Sequence, residues 1–362
     1  MKRTIDMDLD YQPMIDFPPI TPSEMYAQAC TGDKVTVDTW RDTWIKNYQS
    51  TVDRFGDMAE ISYGKLHGIN RHKPAICLAS GPSLSEALPA LKTNQELDNP
   101  VLVISTLHNY AYLKDNGIKV DYYLSLDAGD VVIDDMTEFG TNEDKESYWA
   151  STEGETLLAY AASPPKLFDK WKGKVYLFNC LLPDLELRKK LEEIQPFSAF
   201  ISTGGNAGGA IMYTAKAIFG SATIIFCGYD FCFAYDKKFH AVSTKYDSFK
   251  GQGMGTTIRH PDVYGNLRHT WPSYMNFKFW MDWVTTQVPG QWISCSEGLL
   301  GAYKEGNIRS IKYCTLTQAL EQFRVADEVT VNEVGPEGTS TKIVKLKDIY
   351  NNPKGALPIT MF

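Results

Sequence analysis

The chain has 362 residues, enough for one large α/β domain with a smaller appendage or for two domains. Its net charge of −8 argues against a nucleic acid duplex as the main partner, although a local basic patch stays open. The seven cysteines are scattered without a CxxC pair, and Cys77 and Cys227 sit inside apolar runs, so they read as small buried hydrophobes in a reducing cytoplasm rather than as a disulfide framework.

MKRTIDMDLDYQ carries no apolar core of signal-peptide length, and no window approaches the roughly twenty apolar residues of a membrane span, so the expectation is a cytoplasmic protein. Residues 1–21 hold three prolines and four aspartates and read as an extended arm. From Pro22 to Gly64 the pattern turns helical. Trp40, Trp44, Tyr48 and Val52 recur at four-residue steps, a stripe that reads as packing rather than as a binding face. Residues 1–70 are therefore expected to form an arm and a small helical N-terminal subdomain.

The main domain, 71–325, opens with an apolar strand, Pro74–Ser80, followed by Gly81-Pro82-Ser83-Leu84 and a helix over 85–91 that Pro89 weakens. Strand, tight turn and helix is the placement of a phosphate-binding first turn, and equally that of a proline-containing turn that merely caps a helix. GxGxxG and GxxxxGK[ST] are both absent, which argues against an ordinary dinucleotide dehydrogenase or P-loop kinase. Further strands are expected at 101–105, 121–126, 156–161 and 174–179, with helices at 110–116 and 183–194. The strand at 101–105 runs into Thr106, His108 and Asn109, and the strand at 121–126 ends in Asp127. A carboxylate at a strand end can hold a divalent metal, bind ribose, or cap the next helix.

The stretch Ser202–Phe233 is the densest in signals. Gly204, Gly205, Gly208 and Gly209 precede a helix that carries Ile211, Met212, Ala215 and Ile218 on one stripe, and Gly220 closes it. Residues 222–227 form a continuous apolar run suited to a strand buried on both faces, ending in Gly228-Tyr229-Asp230. Glycines before a helix let a phosphate approach the backbone N–H groups closely, and Ser202, Thr203 and Asn206 supply further hydrogen bonds and a helix cap. The same glycines also suit tight helix-to-sheet packing, and the sequence leaves both readings open.

Residues 234–269 are polar and locally basic and are expected to act as a lid over a phosphorylated ligand, the alternative being a solvated insertion without a role. Asp262–Asn266 reads as a turn, 273–288 as an aromatic-rich helix, Gln291–Ser294 as a last strand before Ser296-Glu297-Gly298, and 310–323 as a closing helix. Residues 326–362 are expected to form a C-terminal hairpin and tail. The resulting fold class is α/β, a Rossmann-like, mostly parallel sheet with helices on both faces.

The collinear order of GPSL, the strand ending at Asp127, GGNAGGA, GYDF, His240-Ala241, DVYGN and SCSEGLLG resembles the motility accessory factor glycosyltransferases and the archaeal 6-hydroxymethylpterin diphosphokinases, over about residues 70–320. The GPSL and GYDF order is also similar to bacterial lipo-oligosaccharide sialyltransferases, whose donor is CMP-linked. That resemblance implies that Gly81, Pro82, Ser83 and Leu84 face the donor phosphate. It also implies that Asn109, Ser202, Thr203, Gly204 and Gly205 line the nucleotide, and we group Asn206, Asp127 and Glu297 with them as cofactor-binding candidates. Cys232 stands where the sialyltransferases have tyrosine after Asp-Phe, and the arginine before their glycine segment is absent here.

Two reactions fit. In glycosyl transfer from a nucleotide sugar, CMP-linked for preference, a histidine accepts the acceptor hydroxyl's proton; His240 is the first candidate, His260 the second, with Asp230 a third catalytic residue. In the alternative, diphosphoryl transfer from ATP to a hydroxymethyl group, Asp127 and Asp230 are the candidate Mg²⁺ ligands. A non-catalytic nucleotide-sugar or glycan-binding protein is the third reading. The expected acceptor is a glycan or protein hydroxyl, with a modified DNA base as the remaining class.

Overall fold

Apolar, β-branched runs and helix-forming segments alternate along the chain, and the computed structural model shows how they assemble. It describes residues 22–345 apart from 72, 183, 235–239, 242–257, 304–305, 309, 325–327 and 336–337. The arm at 1–21, the end of the tail and most of the expected lid lie outside the described residues.

The first half runs α1 (Pro22–Phe55), β1 (Pro74–Leu78), α2 (Leu84–Gln95), β2 (Leu102–Thr106), α3 (Tyr110–Asp115), β3 (Tyr122–Ser125), α4 (Val131–Glu138), α5 (Lys145–Ala150) and β4 (Thr156–Tyr160). It continues with α6 (Pro165–Lys170), β5 (Lys174–Cys180), α7 (Leu185–Ile194), β6 (Phe200–Ile201), α8 (Ala207–Tyr213) and β7 (Thr223–Cys227). Then come β8 (Ile258–Pro261), β9 (Leu267–Thr270), α9 (Pro272–Gln287) and β10 (Gln291–Ser294). The chain closes with β11 (Ala302–Tyr303), β12 (Gly306–Asn307), β13 (Ile311–Tyr313), α10 (Leu316–Arg324), β14 (Glu328–Gly335) and β15 (Gly338–Lys345).

Nine of these strands form one sheet in the order β13-β10-β7-β1-β2-β3-β4-β5-β6, and every neighbouring pair is parallel. This is the Rossmann-like α/β fold that the alternation of elements implies. The chain builds outward from β1 to β6, then returns to place β7 on the other flank of β1. The reversal makes the carboxyl ends of β1 and β7 the topological switch point, where open α/β sheets hold their ligands. β7 (TIIFC) is buried along its whole length, as a central strand covered on both faces must be.

Three differences from the sequence reading stand out. Residues 310–323 are not one helix: Ile311-Lys312-Tyr313 is the ninth strand, paired with β10, and only from Leu316 does the chain turn helical. The β-branched and aromatic ends of that trio favour a strand, but three residues are too few for a periodicity to declare itself. The helix after GPSL also runs through Pro89 to Gln95, longer than expected. Within the polar segment, 258–261 and 267–270 form an antiparallel hairpin whose inward side chains are buried, so this part is built structure rather than lid. The C-terminal hairpin is present as β14 and β15, paired from Glu328↔Lys345 to Gly335↔Gly338 as a separate two-stranded sheet.

The stripe on α1 packs as read. Trp44 and Tyr48 are buried, Trp40 and Val52 half-buried, and all belong to the same core as the sheet. Trp44 meets Tyr160 edge-on at 6.1 Å, and Tyr48 donates its hydroxyl to the Gln195 carbonyl at 2.9 Å. Between them, buried Asn47 donates to the Ala128 carbonyl at 2.8 Å and to the Ala162 carbonyl at 3.0 Å. One side chain thus ties α1 to the loops that leave β3 and β4. No helix among the described residues is long and apolar enough to cross a membrane.

Replacing Asn47 with alanine leaves two buried carbonyls without a donor. Asn47→Ala should lower the unfolding free energy by about 2 kcal/mol, read by urea denaturation. A loss under about 0.5 kcal/mol would show that α1 does not depend on this link.

Candidate functional site

The site begins with crowding. Gly81 and Gly228 bring the tips of β1 and β7 so close that a Cβ on Gly81 would run into the Asp230 carboxylate and the Gly228 carbonyl, and one on Gly228 into the Ala79 carbonyl. Gly228 also has φ +73, a conformation that favours glycine. Asp230, 3% exposed, points its carboxylate into the GPSL turn, where Oδ2 accepts from Ser83 Oγ at 2.9 Å and from Ser83 N–H at 3.2 Å.

The other amides of that turn are spent too. Gly81 N–H donates to the Gly228 carbonyl at 2.9 Å and Leu84 N–H to the Gly81 carbonyl at 3.0 Å, while Pro82 has none. The expectation that GPSL presents amides to a phosphate is therefore corrected: the turn's donors are held inside the protein. Asp230 is likewise a structural anchor of this turn.

Asp230 also fixes the loops that close over it. Its carbonyl accepts from Leu299 N–H at 2.7 Å, and Gly298 packs so tightly on it that no side chain would fit. Tyr229 N–H donates to Ser296 Oγ at 2.9 Å, and Phe231, at the unusual φ of 53°, accepts from Thr270 Oγ1 through its carbonyl. Buried Asp262 caps the β8–β9 turn by accepting from Tyr264 and Asn266 N–H, both at 2.9 Å, and Arg268 donates to the Phe233 carbonyl at 2.8 Å. A fully buried Lys278–Asp282 ion pair on α9 adds a bond from Gly301 N–H to Asp282 at 2.8 Å, holding the SEGLLG loop.

Two chambers open around this framework. The main one, about 210 Å³, is lined by the tips of β1, β2, β3 and β7 and by the start of α8; its lining includes Gly81, His108, Asp127, Asp135, Asn206 and His240. The second, about 330 Å³ and more polar, is lined by Pro82, Ser83, Glu86, Asp230, Arg268, Glu297 and again His240. A third pocket, about 120 Å³, adjoins the first through Asp127 and includes Thr203 and Gly205.

The glycine-rich segment and GPSL are thus brought to one pocket, but not by adjacent strands. β6 lies at the far edge of the sheet, and α8 crosses back to contact β1, β2 and β3. Asn206 caps α8, accepting from Gly209 N–H at 2.8 Å, and Thr203 Oγ1 accepts from Gly205 N–H at 3.1 Å. The glycines divide by position. Gly204 and Gly209 press on the Trp280 ring and serve packing, whereas Gly208 lines the main pocket.

Other expected residues fall elsewhere. Leu84 and Asn109 are buried, and neither they nor Ser202 and Gly204 line any of the three pockets. His260 is 4% exposed in β8 with Nδ1 against the Pro261 carbonyl at 2.7 Å, outside all three pockets; burial lowers it to about 4. Asp127 lines the first and third pockets and Asp230 the second.

His240 has the central position. Its ring lies edge-on to His108 at 5.3 Å and tilted against Phe139 at 5.4 Å. Burial lowers its pKa to about 3, with His108 adding and Glu138 opposing. His108 stacks on Phe139 at 4.2 Å, and its Nε2 lies 3.2 Å from Glu138 Oε2. Asp127 opens to pocket solvent yet is walled in by protein, and that burial raises its carboxyl; Asp135 adds to the rise and His108 opposes it. Asp135, Glu138 and Phe139 escaped the sequence reading because α4 and the chain around it carry no motif; the one available signal was the three-residue spacing of Asp135 and Glu138, which puts both on one helical face.

Residues 43–236 match the family described as 6-hydroxymethylpterin diphosphokinase MptE-like, and the chain belongs to that family. Among solved structures it is similar to the MAf glycosyltransferase from Magnetospirillum magneticum AMB-1, at 14% identity and a TM-score of 0.49. The likeness covers 74% of this chain and 41% of that protein, so the chain spans less than half of its length. No curated protein matches.

Burial pushes the Asp230 carboxyl up to about 6, although Ser83 and Arg268 pull it down. The folded chain then holds this proton more tightly than the unfolded chain, whose aspartate titrates near 3.9. Its contribution to stability is fully present below about pH 4 and is lost as pH rises through about 6, by up to about 3 kcal/mol. Asp230→Asn, which keeps an acceptor for Ser83, should flatten that loss in urea melts between about pH 4 and pH 7. A variant with the same pH slope as the parent would refute the assignment.

Proposed function

We propose that the protein is a transferase that holds a nucleotide-activated donor in the main chamber and a hydroxyl acceptor in the second, and that the group moved is a sugar. The observation that carries this reading is His240, which among the described residues is the one side chain common to both chambers. A two-substrate reaction needs a base where the acceptor hydroxyl meets the donor, and His240 places an imidazole at the border of the two chambers.

In the proposed step the acceptor oxygen bonds to the anomeric carbon while the bond from that carbon to the nucleotide's phosphate oxygen breaks. The phosphate leaves with the electron pair, and the hydroxyl proton passes to His240. With the GPSL amides spent, the groups nearest the leaving phosphate are at the start of α8, where Ala207 and Gly208 line the chamber and first-turn N–H groups have no acceptor within the helix. The acidic residues Glu86 and Glu297 make the second chamber unsuited to phosphate and suited to sugar or other hydroxyls. A CMP-linked donor is the choice implied by the resemblance to the sialyltransferases, with a glycan or protein hydroxyl as acceptor.

The family's description favours a second reading, diphosphoryl transfer from ATP to a hydroxymethyl group. Nucleotide binding separates the two. CMP should raise the melting temperature without added metal, whereas a shift by ATP only with Mg²⁺ would select the diphosphokinase, and no shift with CMP, UDP, GDP or ATP would overturn both. His240→Ala should cut turnover about 10²- to 10⁴-fold with nucleotide binding intact; undiminished turnover would remove His240 as the base.

A further inference from the structure

We propose that His108, Asp135 and Glu138 bind a divalent transition-metal ion, zinc or manganese, in the wall of the main chamber. One ligand atom from each lies within 4.8 Å of the others. They come from two elements: His108 from the turn after β2, Asp135 and Glu138 from one face of α4. A metal about 2.0–2.1 Å from tetrahedral ligands holds them about 3.3 Å apart, and His108 Nε2 already stands 3.2 Å from Glu138 Oε2.

The histidine is held for this task. It stacks on Phe139 at 4.2 Å, with the planes 25° apart, which fixes the ring while leaving its edge toward Glu138. One imidazole with two carboxylates suits zinc or manganese better than magnesium, which prefers oxygen ligands throughout. Three protein ligands leave a position open, and since His108 and Asp135 both line the chamber, that position faces the ligand space.

A second feature of the same chamber points to a polar occupant. Ser125, at the tip of β3, is buried and lines it, yet its hydroxyl has no hydrogen-bond partner among the described residues. A buried hydroxyl left so is costly unless a water or ligand oxygen meets it. A metal-bound water in the open position is such an oxygen.

The test uses the full chain, untagged and stripped with a chelator, titrated calorimetrically with Zn²⁺ and Mn²⁺ and with Mg²⁺ as the control. One Zn²⁺ or Mn²⁺ per chain is expected. His108→Gln, Asp135→Asn and Glu138→Gln should each weaken it at least ~10-fold, since loss of even an outer partner costs that much. Their melts in chelator should match the parent, which separates loss of a ligand from loss of the fold, and any variant that fails this is replaced by the other two. No binding, or binding unchanged in the folded variants, overturns the proposal. Because nucleotide and acceptor are absent, either result leaves the transferase reading to be judged separately.

Discussion

The contact between the Asp230 carboxylate and Ser83 is the constraint around which the site is arranged. It joins the turn after β1 to the tip of β7, the two strands that flank the switch point. A carboxylate removed from water is costly unless hydrogen-bonded, and here the chain supplies both a hydroxyl and an amide. Such a buried group restrains its neighbours: with Gly81, Gly228 and Gly298 packed against Asp230 or its turn, the three loops have little freedom to move apart. The strained backbone of Phe231 sits directly beside this anchor and lines the main chamber, the kind of place where strain is retained for function.

That anchoring divides the space above the sheet. On one side, the tips of β1 to β3 and the start of α8 enclose the main chamber; on the other, α2, the β8–β9 hairpin and the SEGLLG loop border a more polar one. His240 stands between them, with its backbone neighbour Ala241 tied to the Ser80 carbonyl at 3.0 Å. The proposal of transfer between two substrates rests on this division. His108, Phe139 and His240 pack ring against ring beside the main chamber.

Much of the scaffold is legible in the sequence alone. Long apolar runs such as 222–227 declare buried parallel strands because nothing else needs that many β-branched residues in a row, and the glycines at 204–209 declare a tight turn before a helix. Local rules also recover Gly220 as a helix stop, with φ +76, and Asn206 as a cap. Short elements escape: two or three residues, as in β6 and β13, cannot show a period.

What the sequence determined, then, was the class of fold, the order of its longer strands and helices along the chain, and the glycine turns between them, because each depends on interactions between residues near one another in sequence. Only the tertiary structure decided what those turns do. It consumed the GPSL amides on Asp230 and Gly228, sent α8 back across the sheet from the far edge, set His260 aside in a hairpin, and gathered His108, Asp135 and Glu138 from separate elements. Hydrogen-bond partners and side-chain clusters at such separations are chosen by packing in three dimensions, and a linear pattern carries no record of that choice.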